Sequence, residues 1–354
     1  MVAKYMKSTM EGEPADRQHF ITRRALIGTG IGAAAGMNPL RGYAQTPEFR
    51  FKCGTDAPET FPFVTYARKA AQKIVEESGG RLVVEIFPSS QLGTSTDMLS
   101  QVRSGALEML GLQGATLSTF VPLAGINAVG FAFKDYPSVW AAMDGSLGAA
   151  IQKAFEKVSL LLPARIWDSG FRQIFSSKKQ INTAEDLKNF KIRVPVSPLW
   201  LSMFNALGSS PVAINVAELY SALQTGIADG CELPISGFES LKAYEVQKYC
   251  ALSNHIWDGY WPVVNAAAWR RLPTNLQEIF IKNFNAAGIE QRAYNADSAK
   301  KLETDLTQKG VVFNMPDTEQ FKATLRKAGF YVEWKQKYGA EAWALLEQNV
   351  GSLT

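Results

Sequence analysis

The chain has 354 residues, of which 46% are hydrophobic and 20% charged, a balance that excludes disordered and fibrous classes and leaves room for two domains. Its formal charge of +4 is concentrated at the start, because residues 1–44 hold six Lys/Arg and three Asp/Glu and leave 31 basic against 30 acidic residues beyond them. That near-neutral remainder has no Lys/Arg blocks interleaved with aromatics, so a nucleic-acid partner is excluded.

Residues 1–44 read as an export signal. A polar, basic lead ends in Thr22-Arg23-Arg24, a mildly apolar run follows from Ala25 to Gly36, and Gly42-Tyr43-Ala44 offers a cleavage site after about Ala44. The paired arginines ahead of a Gly/Ala-diluted stretch resemble a twin-arginine signal, with an ordinary Sec signal as the alternative. No later run of about 20 uncharged apolar residues exists, so no stable membrane insertion of the mature chain is expected. Cys53 lacks a preceding lipobox, which argues against a lipid anchor. Cys53, Cys231 and Cys250 permit at most one internal disulfide; they are read as buried free thiols.

In chain order, Glu48 to Gly54 reads as a strand, Asp56-Ala57-Pro58 as a turn, and the spacing of Phe63, Ala67, Ala70, Ala71, Ile74 and Val75 as a helix closed by Ser78-Gly79-Gly80. A second strand is expected at Arg81–Phe87, a helix at Thr96–Arg103 and a third strand near Met109–Leu112. This βαβαβ order argues for a parallel-rich sheet covered by helices, with ligands beyond the carboxyl ends of its strands. A second unit opens around Arg165–Ser176, continues through the capped segment at Thr183, and reaches a strand at Lys191–Val194 and a helix through Trp200–Leu207. Asn275–Lys309 contains no proline and only one glycine, Gly288, which predicts a helix long enough to buttress two lobes.

Catalytic chemistry is poorly supported. Beyond the signal the chain has one histidine, His255, and neither a nucleophile elbow nor a G-x-x-x-x-G-K-[ST] phosphate loop. The spacing of His255, Cys231 and Cys250 matches no compact zinc pattern, so no metal or cofactor is expected.

Four ordered segments go further: Arg193-Val194-Pro195, Ala206-Leu207-Gly208-Ser209-Ser210-Pro211, Glu218 through Gly230 in the pattern E-x-Y-x-A-L-Q-x-G-x-x-D-G, and Tyr244-Glu245-Val246-Gln247-Lys248-Tyr249. With these, the chain resembles the DctP-type substrate-binding subunits of TRAP transporters over essentially its whole mature length. The resemblance implies an α/β, two-lobed periplasmic-binding-protein-like fold with parallel-rich sheets, an inter-lobe cleft and a long helix spanning both lobes. Lobe I is expected at 45–169 with 258–298, and lobe II at 170–257 with 299–354. It also implies a periplasmic protein that is not an enzyme and that delivers a small organic carboxylate to integral membrane subunits. A ligand-sensing component that presents a bound acid to a receptor kinase is the alternative, since partner identity lies in surfaces.

In that family the arginine of R-V-P forms a salt bridge to the ligand carboxylate, a role the resemblance carries onto Arg193. A guanidinium suits it, being permanently charged and presenting a planar donor fork. Arg172 matches a second, assisting arginine. Many relatives have asparagine where this chain has Leu233, which implies a less polar substrate, an aromatic or apolar monocarboxylate or 2-oxo acid. The candidate wall is completed by Glu232 and Val216, by the aromatics Trp257, Tyr260 and Trp167, and from first-lobe loops by Phe61, beside Glu59 and Thr60, and Gln113.

Overall fold

The computed structural model describes residues 46–354; the signal and its cleavage site lie outside the described residues. Ten strands form one mixed sheet: β1 (Phe49–Thr55), β2 (Leu82–Phe87), β3 (Met109–Gln113), β4 (Leu160–Leu161), β5 (Trp167–Ser176), β6 (Lys191–Val194), β7 (Ser210–Ala213), β8 (Gly230–Pro234), β9 (Tyr249–Asn265) and β10 (Val312–Asn314). The main order is β2-β1-β3-β9-β5-β8-β6-β7, with β4 and β10 pairing on β9.

Each flank is parallel and is built the same way. β1 pairs in parallel with β2 and β3, and β6 pairs in parallel with β7 and β8. Each flank is thus a β-α-β-α-β unit whose first strand is central. The helix Pro62–Glu77 crosses between β1 and β2 and the helix Pro198–Ala206 between β6 and β7. The two units share no sequence repeat, so the same connection rules produced one topology twice.

The centre departs from the parallel pattern. β5 and β9 run antiparallel to each other and to their outer neighbours β8 and β3. β9 is 17 residues long, about 56 Å at ~3.3 Å per residue. Its second half borders β3, whereas its first half pairs with the end of β5. It is buried along nearly its entire length, so the polar/apolar alternation of a half-exposed strand is missing from its sequence.

Local sequence explains the elements. In β1, Phe51 and Cys53 point inward while Arg50 and Lys52 face solvent. The helix Ser95–Ser104 is opened by a reciprocal Thr94/Asp97 capping box and closed by Gly105 in the left-handed conformation. Capping at Thr183 also forms, but it starts only a four-residue turn, Ala184–Leu187, because Lys188 is already extended and β6 begins at Lys191.

Two glycines are sterically required. Gly170, at φ +105°, sits where the β5/β9 register slips between Asp168 and Gly170, a bend that L-residues adopt only with strain. Gly288 lies in the helix Thr274–Gln308, where an added Cβ would come within 2.6 Å of Trp167 Nε1. That 35-residue helix, about 52 Å long at 1.5 Å per residue, packs against Pro62–Glu77, β5 and the helix Ile235–Ser240. Gln291 and Asn295 hold it to the Asp168 carbonyl at 2.8 and 3.3 Å.

All three thiols are free and buried. Phe175 on β5 is the register partner of both Cys231 on β8 and Cys250 on β9. The two cysteines are therefore two strand spacings apart, about 10 Å, beyond disulfide reach. No described helix is long and apolar enough to cross a membrane.

Filling the Gly288 contact should overpack the helix against Trp167. Gly288→Val is expected to destabilise the protein by about 1–3 kcal/mol. Urea unfolding should show this as a lower midpoint at constant m-value.

Candidate functional site

The carboxyl ends of the parallel strands in both flanks converge on one cavity. The first flank supplies Asp56 just after β1, Phe61 from the following loop, Ser95 at the start of the helix after β2, and Gln113 and Thr116 at and after the end of β3. The second supplies Arg193 from β6 and Pro195 just after it, Val216 from the segment after β7, and Leu233 from β8. The antiparallel centre adds Ser169 and Arg172 on β5 and Tyr260 on β9. This is where ligands of open α/β sheets bind.

Two guanidinium groups are buried here, each about 1% exposed, and their surroundings differ. Arg172 is spoken for. Its Nε and Nη2 donate to the Glu232 carboxylate and Nη2 also to the Glu232 carbonyl at 2.9 Å. Its Nη1 is 3.4 Å from Gln113 Oε1, and the guanidinium lies 4.6 Å from the centre of the Trp200 ring. Burial works against its charge, but Glu232 outweighs burial and holds the pKa above its ordinary value. Glu232 itself is held below the usual carboxylate range: burial pushes it up, and Arg172 and His255 more than offset this.

Arg193 has no carboxylate partner. Nε and Nη2 donate to the Ile214 carbonyl at 2.9 and 2.6 Å. Nη1 is buried with no hydrogen-bond partner among the described residues. Burial and, on the same side, the neighbouring Arg172 lower its pKa to about 10, against an opposing pull from Glu232. It remains charged at neutral pH.

Behind Arg172 lies His255, whose Nε2 is 3.6 Å from the Glu232 carboxylate, too long for a direct hydrogen bond. Its Nδ1 and Ser253 Oγ are 2.7 Å apart. Burial keeps the imidazole pKa below its ordinary value, with Glu232 opposing. Across the cavity, Asp56 Oδ2 accepts from Ser95 Oγ at 2.6 Å, and Gln113 Nε2 donates to Ser169 Oγ at 2.7 Å, joining β3 to β5. Phe61 and Tyr260 approach to 5.6 Å between ring centres and form the aromatic part of the wall.

Of the residues singled out in the sequence, Arg193, Arg172, Tyr260, Leu233, Val216, Gln113 and Phe61 come together at the cavity. Three do not. Trp257 faces the core, donating to Asp168 Oδ1 at 2.8 Å and packing edge-on to Trp140. Trp167 packs between Phe63 and Phe284 under Gly288. Glu232 is fully buried behind Arg172 and lies outside the wall. Each sits on a strand buried on both faces, so being near the site in sequence does not place a side chain in it. In the loop after β1, Glu59 pairs with Arg68 on the surface and Thr60 is exposed, leaving Phe61 to face inward. Asp56, Ser95, Thr116 and Ser169 were missed. Asp56 carries a positional signal, as the first residue past a parallel strand, and reads from sequence only as a turn former.

Two parallel flanks that meet at one buried, charged cavity define the α/β, two-lobed architecture of periplasmic binding proteins. A TRAP periplasmic solute-binding protein of Roseobacter denitrificans, solved with bound β-D-glucuronate, superimposes with a TM-score of 0.81 at 25% identity, over 86% of this chain and 99% of its own. Residues 53–332 match the family described as bacterial extracellular solute-binding protein, family 7 (DctP), and the chain belongs to that family. Among curated relatives, an uncharacterized protein of Haemophilus influenzae is 34% identical over 79% of this chain and 85% of its own length. The 2,3-diketo-L-gulonate-binding periplasmic protein YiaO of Escherichia coli is 30% identical over 69% and 74%. The Roseobacter and Escherichia coli relatives are described as binding β-D-glucuronate and 2,3-diketo-L-gulonate, respectively.

The buried imidazole gives stability a pH dependence with a definite sign. Because the folded-state pKa of His255 is depressed, the unfolded chain takes up the proton first. The contribution is fully present above about pH 6.5 and is lost as pH falls through the folded value. Replacing the ring with an uncharged side chain removes this term, so the stability gap between wild type and His255→Gln should narrow between pH 7 and pH 5 in urea melts. A pH-independent gap would assign the loss to packing alone.

Proposed function

We propose that this chain captures a small organic carboxylate between lobe I (45–169 with 258–298) and lobe II (170–257 with 299–354) and delivers it to the membrane subunits of a TRAP-type transporter. Export through the twin-arginine-like signal, with cleavage after about Ala44, would place it in the periplasm. The observation that carries the reading is Arg193 Nη1, a cationic donor buried in the cavity wall with no partner among the described residues. A buried charge without a counter-ion is costly; a ligand carboxylate supplies one, and the strength of the resulting bond grows as water is excluded.

Arg172 is proposed to assist. With Nε and Nη2 committed to Glu232, only Nη1, beside Gln113, is turned to another acceptor. Micromolar affinity corresponds to about 8 kcal/mol, and charge-assisted bonds contribute roughly 1.5–3 kcal/mol each before association costs. Enclosure must supply the rest, through Phe61, Tyr260, Val216 and Leu233. These residues suit the apolar part of an acid, as in an aromatic or apolar monocarboxylate or 2-oxo acid. The glucuronate and diketogulonate of the relatives share the carboxylate, although their skeletons are hydroxylated. Closure is proposed as a hinge motion in which ligand shifts the population toward the closed form.

Arg193→Ala is expected to weaken binding of the cognate acid at least tenfold, about 1.4 kcal/mol, with the circular dichroism spectrum unchanged. Arg193→Lys should restore little, because an ammonium cannot both hold the Ile214 carbonyl and present a fork. Calorimetric titration against mono- and dicarboxylates and uncharged analogues tests this. Equal affinity in the folded Ala variant would remove Arg193 from the site, and equal binding of uncharged analogues would remove the carboxylate.

A further inference from the structure

A groove on the other side of β5 shares only Ser169 and Pro234 with the acid cavity. Strand alternation sends Arg172 into the cavity, whereas its neighbours Phe171 and Gln173 line the groove. The facing wall is one face of the helix Thr274–Gln308, on which Asn295, Ser298, Ala299, Leu302 and Glu303 recur at helical spacing. Apolar surface comes from Tyr136, Phe171, Ile235, Leu252 and Leu302, with the Tyr136 and Phe171 rings edge-on at 5.3 Å. Met315 also lines the groove while 79% exposed, so part of the wall is apolar surface left to solvent.

Its polar groups are unbalanced toward acceptors. Gln173 and Asn254 satisfy each other, Gln173 Nε2 donating to Asn254 Oδ1 at 2.6 Å and the Asn254 N–H donating to Gln173 Oε1 at 2.9 Å. Two acceptors are left over. Asn295 is 8% exposed; its Nδ2 donates to the Asp168 carboxylate at 3.0 Å, and its Oδ1 has no partner among the described residues. Glu303 has no ion pair among the described residues, since the nearby Lys301 is committed to Asp305, and no Lys or Arg lines the groove among them. Eight residues of helix put these acceptors about 12 Å apart, at 1.5 Å per residue, with the apolar wall between them.

We propose that this groove is a second ligand site, for an elongated aliphatic diamine or polyamine, with one ammonium on Glu303, the other at Asn295 and the methylenes along the apolar wall. An ammonium has three donors and no acceptor, which answers an acceptor at each end. The Asn295 end also offers the Asp168 carboxylate behind the amide and the faces of Tyr136 and Phe171, which attract a cation. An anion finds no cation here, a neutral hydrocarbon leaves both acceptors unanswered, and a monoamine or a short diamine reaches one of them. The site does not depend on the carboxylate reading.

The test is calorimetric titration of the purified protein with 1,8-diaminooctane and spermidine, against 1,3-diaminopropane, octylamine and 1,8-octanediol. At least one of the two long amines should bind at one equivalent, tenfold or more tightly than each of the three controls. Glu303→Gln, at a partly exposed position, should weaken it at least tenfold. Ala299→Trp, which fills the exposed helix face between the two acceptors, should abolish binding, whereas Arg193→Ala should leave it unchanged. Neither long amine binding at millimolar concentration overturns the proposal, as does a control that binds as tightly as they do. Unchanged binding in folded Glu303→Gln or Ala299→Trp overturns it too, and so does loss of binding in Arg193→Ala, which would put the amine in the acid cavity. None of these failures touches the carboxylate reading, whose own test uses acids and Arg193.

Discussion

The structure turns on two arginines buried at the junction of the two flanks, of which only Arg172 has a carboxylate partner. Glu232 cancels Arg172, and the pair is locked between neighbouring antiparallel strands, with Trp200 against the guanidinium and His255 behind the carboxylate. Arg193 is left with a backbone carbonyl in place of a counter-ion. Isolated buried ion pairs add little net stability, whereas breaking one by removing a partner is expensive. The Arg172–Glu232 pair is therefore best understood as a scaffold that keeps the second cation uncompensated.

The sheet makes that arrangement possible. The two parallel flanks aim their carboxyl ends at a common space, and the antiparallel pair β5 and β9 joins them. Asp168 anchors the joint: its side chain accepts from Trp257, Tyr136 and Asn295, and its backbone carbonyl from Gln291. Burial pushes its pKa up, against these hydrogen bonds. The bend at Gly170 and the close approach at Gly288 are the backbone conditions for bringing the long helix across the joint.

Much of this was legible in the sequence where the governing signal is local. β6 runs over Lys191–Val194 as read, and the helix Thr274–Gln308 is within one residue of the uninterrupted stretch, because caps, glycines and periodicity decide such elements. β9 escaped because a strand buried on both faces loses alternation. The same burial misled the reading of Trp257 and Trp167, whose aromatic character says nothing about which side of a doubly covered sheet they face. Arg193 was found through motifs. Asp56 was not, because only its position just past a parallel strand separates it from an ordinary turn former.

The orphaned Arg193 nitrogen has a consequence for the life of the molecule. A ligand that binds only the native state stabilises it by RT ln(1 + [L]/Kd), about 2.7 kcal/mol at a hundredfold excess over Kd. An empty protein, still bearing its unanswered charge, opens more often and offers proteases more of its backbone than an occupied one does. Resistance to unfolding and to proteolysis should therefore rise with the occupancy of the cavity.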